Sequence, residues 1–173
     1  MASYAAGGEK VLRVGNDWVL WILVAASALH VVEEHALGWQ GWATQAFTRI
    51  GVRPTWTDFW ATNAALVVIG VAAAATGWRA PAFALALPAV CIINALLFHV
   101  LPSATARRIN PGCLTAVALY LPIAAWCYIE AGNAGVLGAG ALLGSIAIGA
   151  LMMAAAIALL ALGARRGYPD ESA

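Results

Sequence analysis

Long apolar runs separated by short polar segments dominate the chain. Five of these runs approach or exceed the length of about 20 residues that a helix needs to cross the hydrocarbon core of a bilayer. They lie near residues 16–37, 58–78, 80–101, 113–131 and 136–164. Because every backbone amide must be paired internally in lipid, runs of this length predict helices rather than barrel strands. We therefore expect an all-α fold, an integral membrane bundle of five transmembrane helices that forms a single domain over residues 1–173.

The segment between the first and second runs, residues 39–56, has a different pattern. It is too polar to cross a bilayer, yet it contains Trp39, Trp42, Phe47 and Trp56. Tryptophan is enriched at the level of the lipid headgroups. We therefore predict a short interfacial helix that lies on the membrane surface and covers whatever lies beneath it.

The composition supports a membrane protein and excludes some other classes. The chain is 63% hydrophobic and 10% charged, which is more apolar surface than a soluble domain of 173 residues can bury. A net charge of +1 gives no electrostatic reason to expect nucleic acid as a partner. The three cysteines lack metal-ligand spacing, so they predict neither a disulfide framework nor a cysteine zinc site.

The basic residues predict an orientation. The side of the N-terminus carries three, namely Lys10, Arg13 and Arg79. The other side carries Arg49, Arg53, Arg107, Arg108, Arg165 and Arg166. Because cytoplasmic loops are enriched in Lys and Arg, this bias predicts a cytoplasmic C-terminus and an N-terminus outside.

The fifth run contains a pair of small residues, Gly140 and Gly144. Glycines four residues apart allow two helices to approach closely. The pair predicts either close packing inside the bundle or the contact face of a homodimer.

Polar side chains concentrate at one end of the predicted bundle. With five spans, the ends of the first and third helices lie at the same membrane face as the starts of the second and fourth. The polar residues near these ends are His30, Glu33, Glu34, His35, Asp58, Asn63, Asn94, His99, Asn110 and Thr115. An ionised carboxylate in the bilayer costs about 2.5–3.5 kcal/mol on insertion scales, so two adjacent glutamates need compensation. We therefore expect one polar site, near the cytoplasmic face.

Helical spacing divides the first of these groups. Residues three and four apart share a helix face, so His30, Glu33 and Glu34 point the same way. His35 lies about 140° around the helix from His30. It is expected to face another helix or the interface.

Three interpretations of the group remain open. In the first, His30, Glu33, Glu34 and His99 bind a metal, for which imidazole and carboxylate ligands suggest zinc or iron with an open position for water or substrate. In the second there is no cofactor, and a protonated Glu and a His act as proton donor and acceptor in an apolar pocket. In the third, the group only holds the helices together or reaches water.

Residues around this group receive supporting roles. Asn63 and Asn94 are predicted to orient the substrate or the catalytic groups. Arg108 either follows the positive-inside rule or binds an anionic headgroup of the substrate. Asp58 precedes an apolar run and is predicted to be a helix N-cap rather than a site residue.

Three short motifs together resemble a known family. They are His30-x-x-Glu33-Glu34, Asn94-x-x-x-x-His99 and Pro111-Gly112-x-x-Thr115. In this order, the motifs resemble the bacterial integral membrane family named for its HXXEE motif, from about residue 18 to the fifth helix. That family has no settled biochemical function. The resemblance therefore implies a bacterial inner-membrane protein and emphasises these residues without naming a reaction.

The expected function is a membrane-embedded enzyme that acts on a hydrophobic, lipid-like substrate. His30, Glu33, Glu34 and His99 would be the catalytic residues, with or without a metal, in a hydrolysis, isomerisation or cyclisation. The alternatives are a metal-free acid–base isomerase or cyclase with a protonated Glu, a proton-coupled transporter, and a lipid-binding or scaffolding membrane protein.

Overall fold

The structure, a computed structural model, describes residues 16–47 and 51–165 of the chain. Within these ranges the regular structure is entirely helical. The helices are α1 (Val19–Ala36), α2 (Trp39–Phe47), α3 (Trp56–Thr76), α4 (Pro81–Ala106), α5 (Cys113–Asn133) and α6 (Ala139–Arg165). All except α2 are long and apolar enough to cross a membrane. The predicted all-α fold class with five such helices is confirmed.

Some helix bounds differ from the predicted spans. Helix α4 continues to Ala106 rather than ending near 101, and it ends where Arg107 adopts a left-handed φ of 50°. Helix α3 begins with a capping box in which Thr55 is the N-cap. The Thr55 Oγ1 accepts from the Asp58 backbone N–H at 3.2 Å, and the Asp58 carboxylate accepts from the Thr55 N–H at 2.8 Å. Asp58 therefore belongs to the cap, but the predicted N-cap position is occupied by Thr55.

Helix α4 lies at the centre of the bundle. In α4, 56% of the most apolar stretch is buried, against 44% or less in the other four long helices. Large apolar side chains on the outer helices remain exposed, as at Val68 (68%) and Leu151 (69%). An apolar exterior around a packed centre is the arrangement that a lipid environment favours.

Small residues let α6 approach α4 closely. A Cβ at Gly149 would lie 2.7 Å from the Ala89 Cβ, and one at Gly144 would lie 3.0 Å from the Ala82 Cβ. A Cβ at Gly140 would meet no other described atom within 4 Å. Gly144 therefore packs inside the bundle, and a homodimer through Gly140 and Gly144 stays a prediction.

Helices α4 and α5 each contain a π-helical segment, Ala95–Val100 and Ala116–Tyr120. Each segment is followed two residues later by a proline, Pro102 and Pro122. Because proline has no N–H, Pro102 cannot donate to the Phe98 carbonyl four residues earlier. The side chain of Asn110 donates to that carbonyl instead, at 2.7 Å. These two segments face each other at the polar end of the bundle and carry site residues.

The short helix α2 lies across that same end of the bundle. Its Trp39 and Ala43 are buried against Val31 of α1 and Phe59 of α3. The predicted short helix after α1 therefore exists, although it ends at Phe47, and its position at a membrane surface stays a prediction. Of the basic residues used to predict the orientation, Lys10, Arg13, Arg49 and Arg166 lie outside the described residues.

Candidate metal centre

Two imidazoles and a carboxylate converge at the polar end of the bundle. His30 and Glu34 lie one turn apart on α1, and His99 comes from the π-helical segment of α4. The Glu34 Oε1 lies 3.7 Å from the His30 Nε2 and 3.7 Å from the His99 Nε2. All three side chains are buried, with 3%, 6% and 1% of each residue exposed in the order His30, Glu34, His99. Among the residues that the structure describes, these three have ligand atoms within 4.8 Å of one another.

These separations are close to those of a tetrahedral metal site. Bonds of about 2.0–2.2 Å in tetrahedral geometry place neighbouring ligand atoms about 3.4 Å apart. Both carboxylate-to-imidazole distances, at 3.7 Å, are within a few tenths of an ångström of that value. All the ligand atoms of the three residues lie within 4.8 Å of one another. Their donor types and separations are therefore consistent with a zinc or iron ion.

Thr115 fixes the hydrogen on the His30 ring. The Thr115 Oγ1 lies 2.5 Å from a carboxylate oxygen of Glu33 and 2.8 Å from the His30 Nδ1. The Thr115 hydroxyl has a single hydrogen, which it donates to Glu33, so its oxygen is left to accept from the His30 Nδ1–H. The His30 Nε2 then presents its lone pair toward Glu34 and His99. Metal-binding histidines are oriented by this type of outer hydrogen bond.

Glu33, which was predicted as a metal ligand, lies outside the three-residue cluster. Its carboxylate accepts from the backbone N–H groups of Leu114 at 3.1 Å and Thr115 at 2.7 Å, in the first turn of α5. A negative charge at that position satisfies amides that have no partner in their own helix and interacts favourably with the helix dipole. Adjacent residues differ by about 100° in direction, so Glu33 reaches α5 while Glu34 faces the histidines. Glu33 supports the centre rather than joining it.

Several buried polar atoms at the centre have no hydrogen-bond partner among the described residues. They are the His30 Nε2, both ring nitrogens of His99 and the Asn94 Oδ1. An unpaired buried polar atom costs about 1–3 kcal/mol. A metal ion would take up one nitrogen of each imidazole, which makes the donor set consistent with metal binding.

A glycine turn packs directly against the cluster. Gly112 has a φ of 86°, which L side chains rarely adopt. A Cβ on this residue would lie 2.5 Å from the His99 Cε1 and 2.8 Å from the His30 Cε1. Pro111 and Gly112 form the turn before α5, and this turn is a backbone wall of the centre.

The π-helical segments bring together residues that regular helical spacing separates. Asn94 and His99 are five residues apart, which places them on different faces of a regular α-helix, yet both line the same cavity. Thr115 and Tyr120 have the same spacing, and both contact the His30 ring, Tyr120 with ring centroids 4.4 Å apart. In a π-helix the repeat is i to i+5, so such residues lie nearly above one another. Tyr120 was not among the site residues predicted from the sequence.

Two apolar cavities meet at the centre. The first runs between α1, α3 and α4, with about 520 Å³ of empty space that includes space open to the surroundings. The second lies beneath α2, with about 600 Å³ counted in the same way. Glu34, Asn63 and Asn94 line both cavities, so the residues predicted to orient a substrate stand where the two spaces join.

The other polar residues predicted at this end of the bundle are not part of the three-residue cluster. Arg108 is exposed and lines neither of these two cavities. Asn110 is buried and is occupied with α4, since it accepts from the Ser103 hydroxyl at 3.0 Å and donates to the Phe98 carbonyl. His35 is exposed and contacts the ring of Trp56, with centroids 4.6 Å apart. The predicted peripheral position of His35 agrees with this contact.

Residues 21–127 match the family described as "Protein of unknown function with HXXEE motif". The chain belongs to this family. The match to the HXXEE family spans α1 to most of α5 and includes every residue of the centre, whereas α6 lies beyond it. No curated protein and no solved structure matches the chain. In this HXXEE protein, the His and the second Glu of the motif face the cluster, and the first Glu caps α5.

Proposed function

We propose that the protein is a membrane-embedded, metal-dependent enzyme that acts on a hydrophobic, lipid-like substrate. Zn²⁺ or Fe²⁺ would be held by His30, Glu34 and His99. The observation that carries this proposal is the convergence of two buried imidazoles with unpaired nitrogens on one buried carboxylate. Two histidines and a glutamate form a ligand set of catalytic zinc sites, which keep a further position open for water or substrate.

The residues around such an ion would have separate roles. A bound metal would polarise a carbonyl or ester oxygen of the substrate or activate a water molecule, which serves hydrolysis and isomerisation alike. Thr115 and Glu33 would hold His30 in the tautomer that binds metal. Asn63 and Asn94, at the junction of the cavities, would orient the polar part of the substrate.

The shape of the site favours an enzyme over a transporter. Transport requires polar groups along a path from one membrane face to the other. Away from the centre, the described lining of the first cavity is almost entirely apolar. At the opposite end of the bundle, the Glu130 carboxylate accepts from the Asn16 side chain and the Trp126 indole, each at 3.1 Å. A pocket with one polar end suits a substrate that enters from lipid and reacts in place.

The metal-free alternative rests on the same three residues. The Glu34 carboxyl oxygen is equally far from both imidazoles, so a protonated Glu34 and a neutral histidine could exchange a proton with a substrate. An isomerase or cyclase of this kind needs no cofactor. The presence of a stoichiometric metal separates the two proposals.

We further propose that the protein resides in a bacterial inner membrane with its C-terminus in the cytoplasm. Arg107 and Arg108 are exposed in the loop at the end of the bundle that holds the centre. The positive-inside rule then places the centre near the cytoplasmic face. Headgroups of the cytoplasmic leaflet would be within reach of the cavity beneath α2.

Elemental analysis of protein purified without chelator tests the metal. The chain has three histidines, so His35→Ala is a matched control for His30→Ala and His99→Ala. We expect about one equivalent of zinc or iron in the wild type and in His35→Ala, and loss of the metal from the other two variants. Metal-free wild-type protein would contradict the metal proposal and favour acid–base catalysis.

A further inference from the structure

The first cavity has a polar end and an apolar end. Its lining follows three helices over parallel stretches, residues 24–34 of α1, 63–70 of α3 and 87–94 of α4. The end of each stretch that lies at the centre is a polar residue, which is Glu34, Asn63 or Asn94. The opposite end of each stretch is apolar and lies away from the metal ligands. The cavity therefore has the polarity of a molecule with one headgroup and one hydrocarbon tail.

The middle of this cavity offers little to a polar ligand. The Ser27 hydroxyl donates to the Leu23 carbonyl of its own helix at 2.9 Å. The Cys91 thiol lies 4.0 Å from the Ser27 oxygen and is buried. The other lining residues away from the centre are apolar, among them Val31 and Leu66, except that Tyr120 places its phenol beside Ser27 and Cys91. Hydrocarbon is the chemistry that matches such a lining.

Gly70 and Leu87 line the cavity at the end away from the centre and pack against each other. A Cβ on Gly70 would lie 3.1 Å from the Leu87 Cδ2, so α3 and α4 approach each other here as closely as the leucine allows. Gly70 lies seven residues beyond Asn63, and seven helical residues correspond to about 10 Å. An extended chain with carbon–carbon bonds of about 1.5 Å covers that distance with roughly eight carbon atoms.

We propose that the substrate carries an alkyl or acyl chain of about eight carbons, whose length is measured by Gly70 and Leu87. The headgroup lies at the metal centre and the chain fills the first cavity. This inference rests on the proposed function for the position of the headgroup. Gly70 and Leu87 are the residues that determine the length limit, although neither touches the reacting atoms.

Binding of a series of n-alkyl hydroxamic acids tests both the position of the headgroup and the limit on chain length. The hydroxamate binds the metal, and acetohydroxamic acid reports on the headgroup site alone. Dissociation constants are compared between variants at each chain length, in digitonin, so that partition into the micelle cancels. After correction for the measured partition of each compound into the micelle, we expect wild-type affinity to stop increasing beyond about eight carbons, where added methylene groups no longer find apolar contact.

Substitutions at the end away from the centre should move this limit in opposite directions. Gly70→Leu fills the end and should weaken binding of the eight-carbon compound tenfold or more, with acetohydroxamic acid unaffected. Leu87→Ala enlarges the end and should move the limit up by about two carbons. Gly140→Leu is the matched control, because a Cβ there meets no other described atom within 4 Å. Opposite shifts cannot both arise from partial unfolding.

The outcomes separate the two proposals. Failure of the wild type to bind acetohydroxamic acid would overturn the metal site. Normal binding of that compound, with an identical length profile in all variants, would overturn the length limit alone. In a metal-independent arm, native mass spectrometry with n-alkyl alcohols should give the same shift for Gly70→Leu. An unchanged alcohol profile would again contradict the inference.

Discussion

The hydrogen bond between Thr115 and His30 provides the sharpest test of how the chain prepares a metal ligand. Thr115→Val keeps the shape of the side chain and removes the hydroxyl. The His30 Nδ1–H, on a residue that is 3% exposed, then loses its partner at 2.8 Å. The ring hydrogen is free to move to Nε2, where it faces Glu34 and competes with the metal.

The expected effect is a 10- to 100-fold loss of metal affinity, the usual consequence of removing an outer partner of a metal-binding histidine. This corresponds to about 1.4–2.7 kcal/mol, since each tenfold change in a dissociation constant is about 1.4 kcal/mol. The free energy expected for the lost hydrogen bond is similar, because an unsatisfied buried donor costs about 1–3 kcal/mol.

Competition for Zn²⁺ with a chromogenic chelator measures this effect directly. Thr115→Ser retains the hydroxyl and serves as the control, for which we expect affinity within threefold of the wild type. If Thr115→Val binds Zn²⁺ as tightly as Thr115→Ser, the hydroxyl does not fix the His30 tautomer and the reasoning is refuted.

Three further predictions concern residues around the centre. Gly112→Ala should lower the thermal midpoint and abolish metal binding, because its Cβ meets both imidazoles; an unchanged midpoint would contradict the packing. Glu34→Gln should reduce Zn²⁺ affinity far more than Glu33→Gln, because the Gln side chain at position 33 retains an acceptor oxygen for the α5 amides. Equal losses in the chelator assay would mean that both glutamates are ligands. Asn110→Ala should destabilise the fold by about 1–3 kcal/mol in a denaturant titration, because the Phe98 carbonyl loses its donor; no change in the transition would argue against that bond.

The sequence is sufficient to predict the framework of this molecule. Apolar runs of membrane-spanning length give five helices, because lipid leaves few other ways to pair backbone amides. The number of helices then determines which ends meet. His30 and Glu34 on α1 are predicted at the same membrane face as His99 on α4 by that parity, and the structure shows that they meet there.

The details of the centre could not be predicted, because they depend on departures from regular helical spacing. The π-helical segments shift the register of α4 and α5, so Asn94 and His99 line one cavity despite their five-residue separation. Glu33 and Glu34 have different partners because the first turn of α5 lies beside Glu33. The sequence of α1 alone does not predict the position of that turn. A proline two residues past each segment is the signal that could have indicated these shifts.

X-ray absorption spectroscopy of the protein as purified is the most direct test of the central claim, that His30, Glu34 and His99 form a metal site. We predict zinc or iron with two imidazole ligands and oxygen or nitrogen neighbours at about 2.0–2.2 Å. In His99→Ala, the spectrum should lose one imidazole or the metal altogether. A spectrum without imidazole scattering, or one that is identical in His99→Ala, would contradict the account.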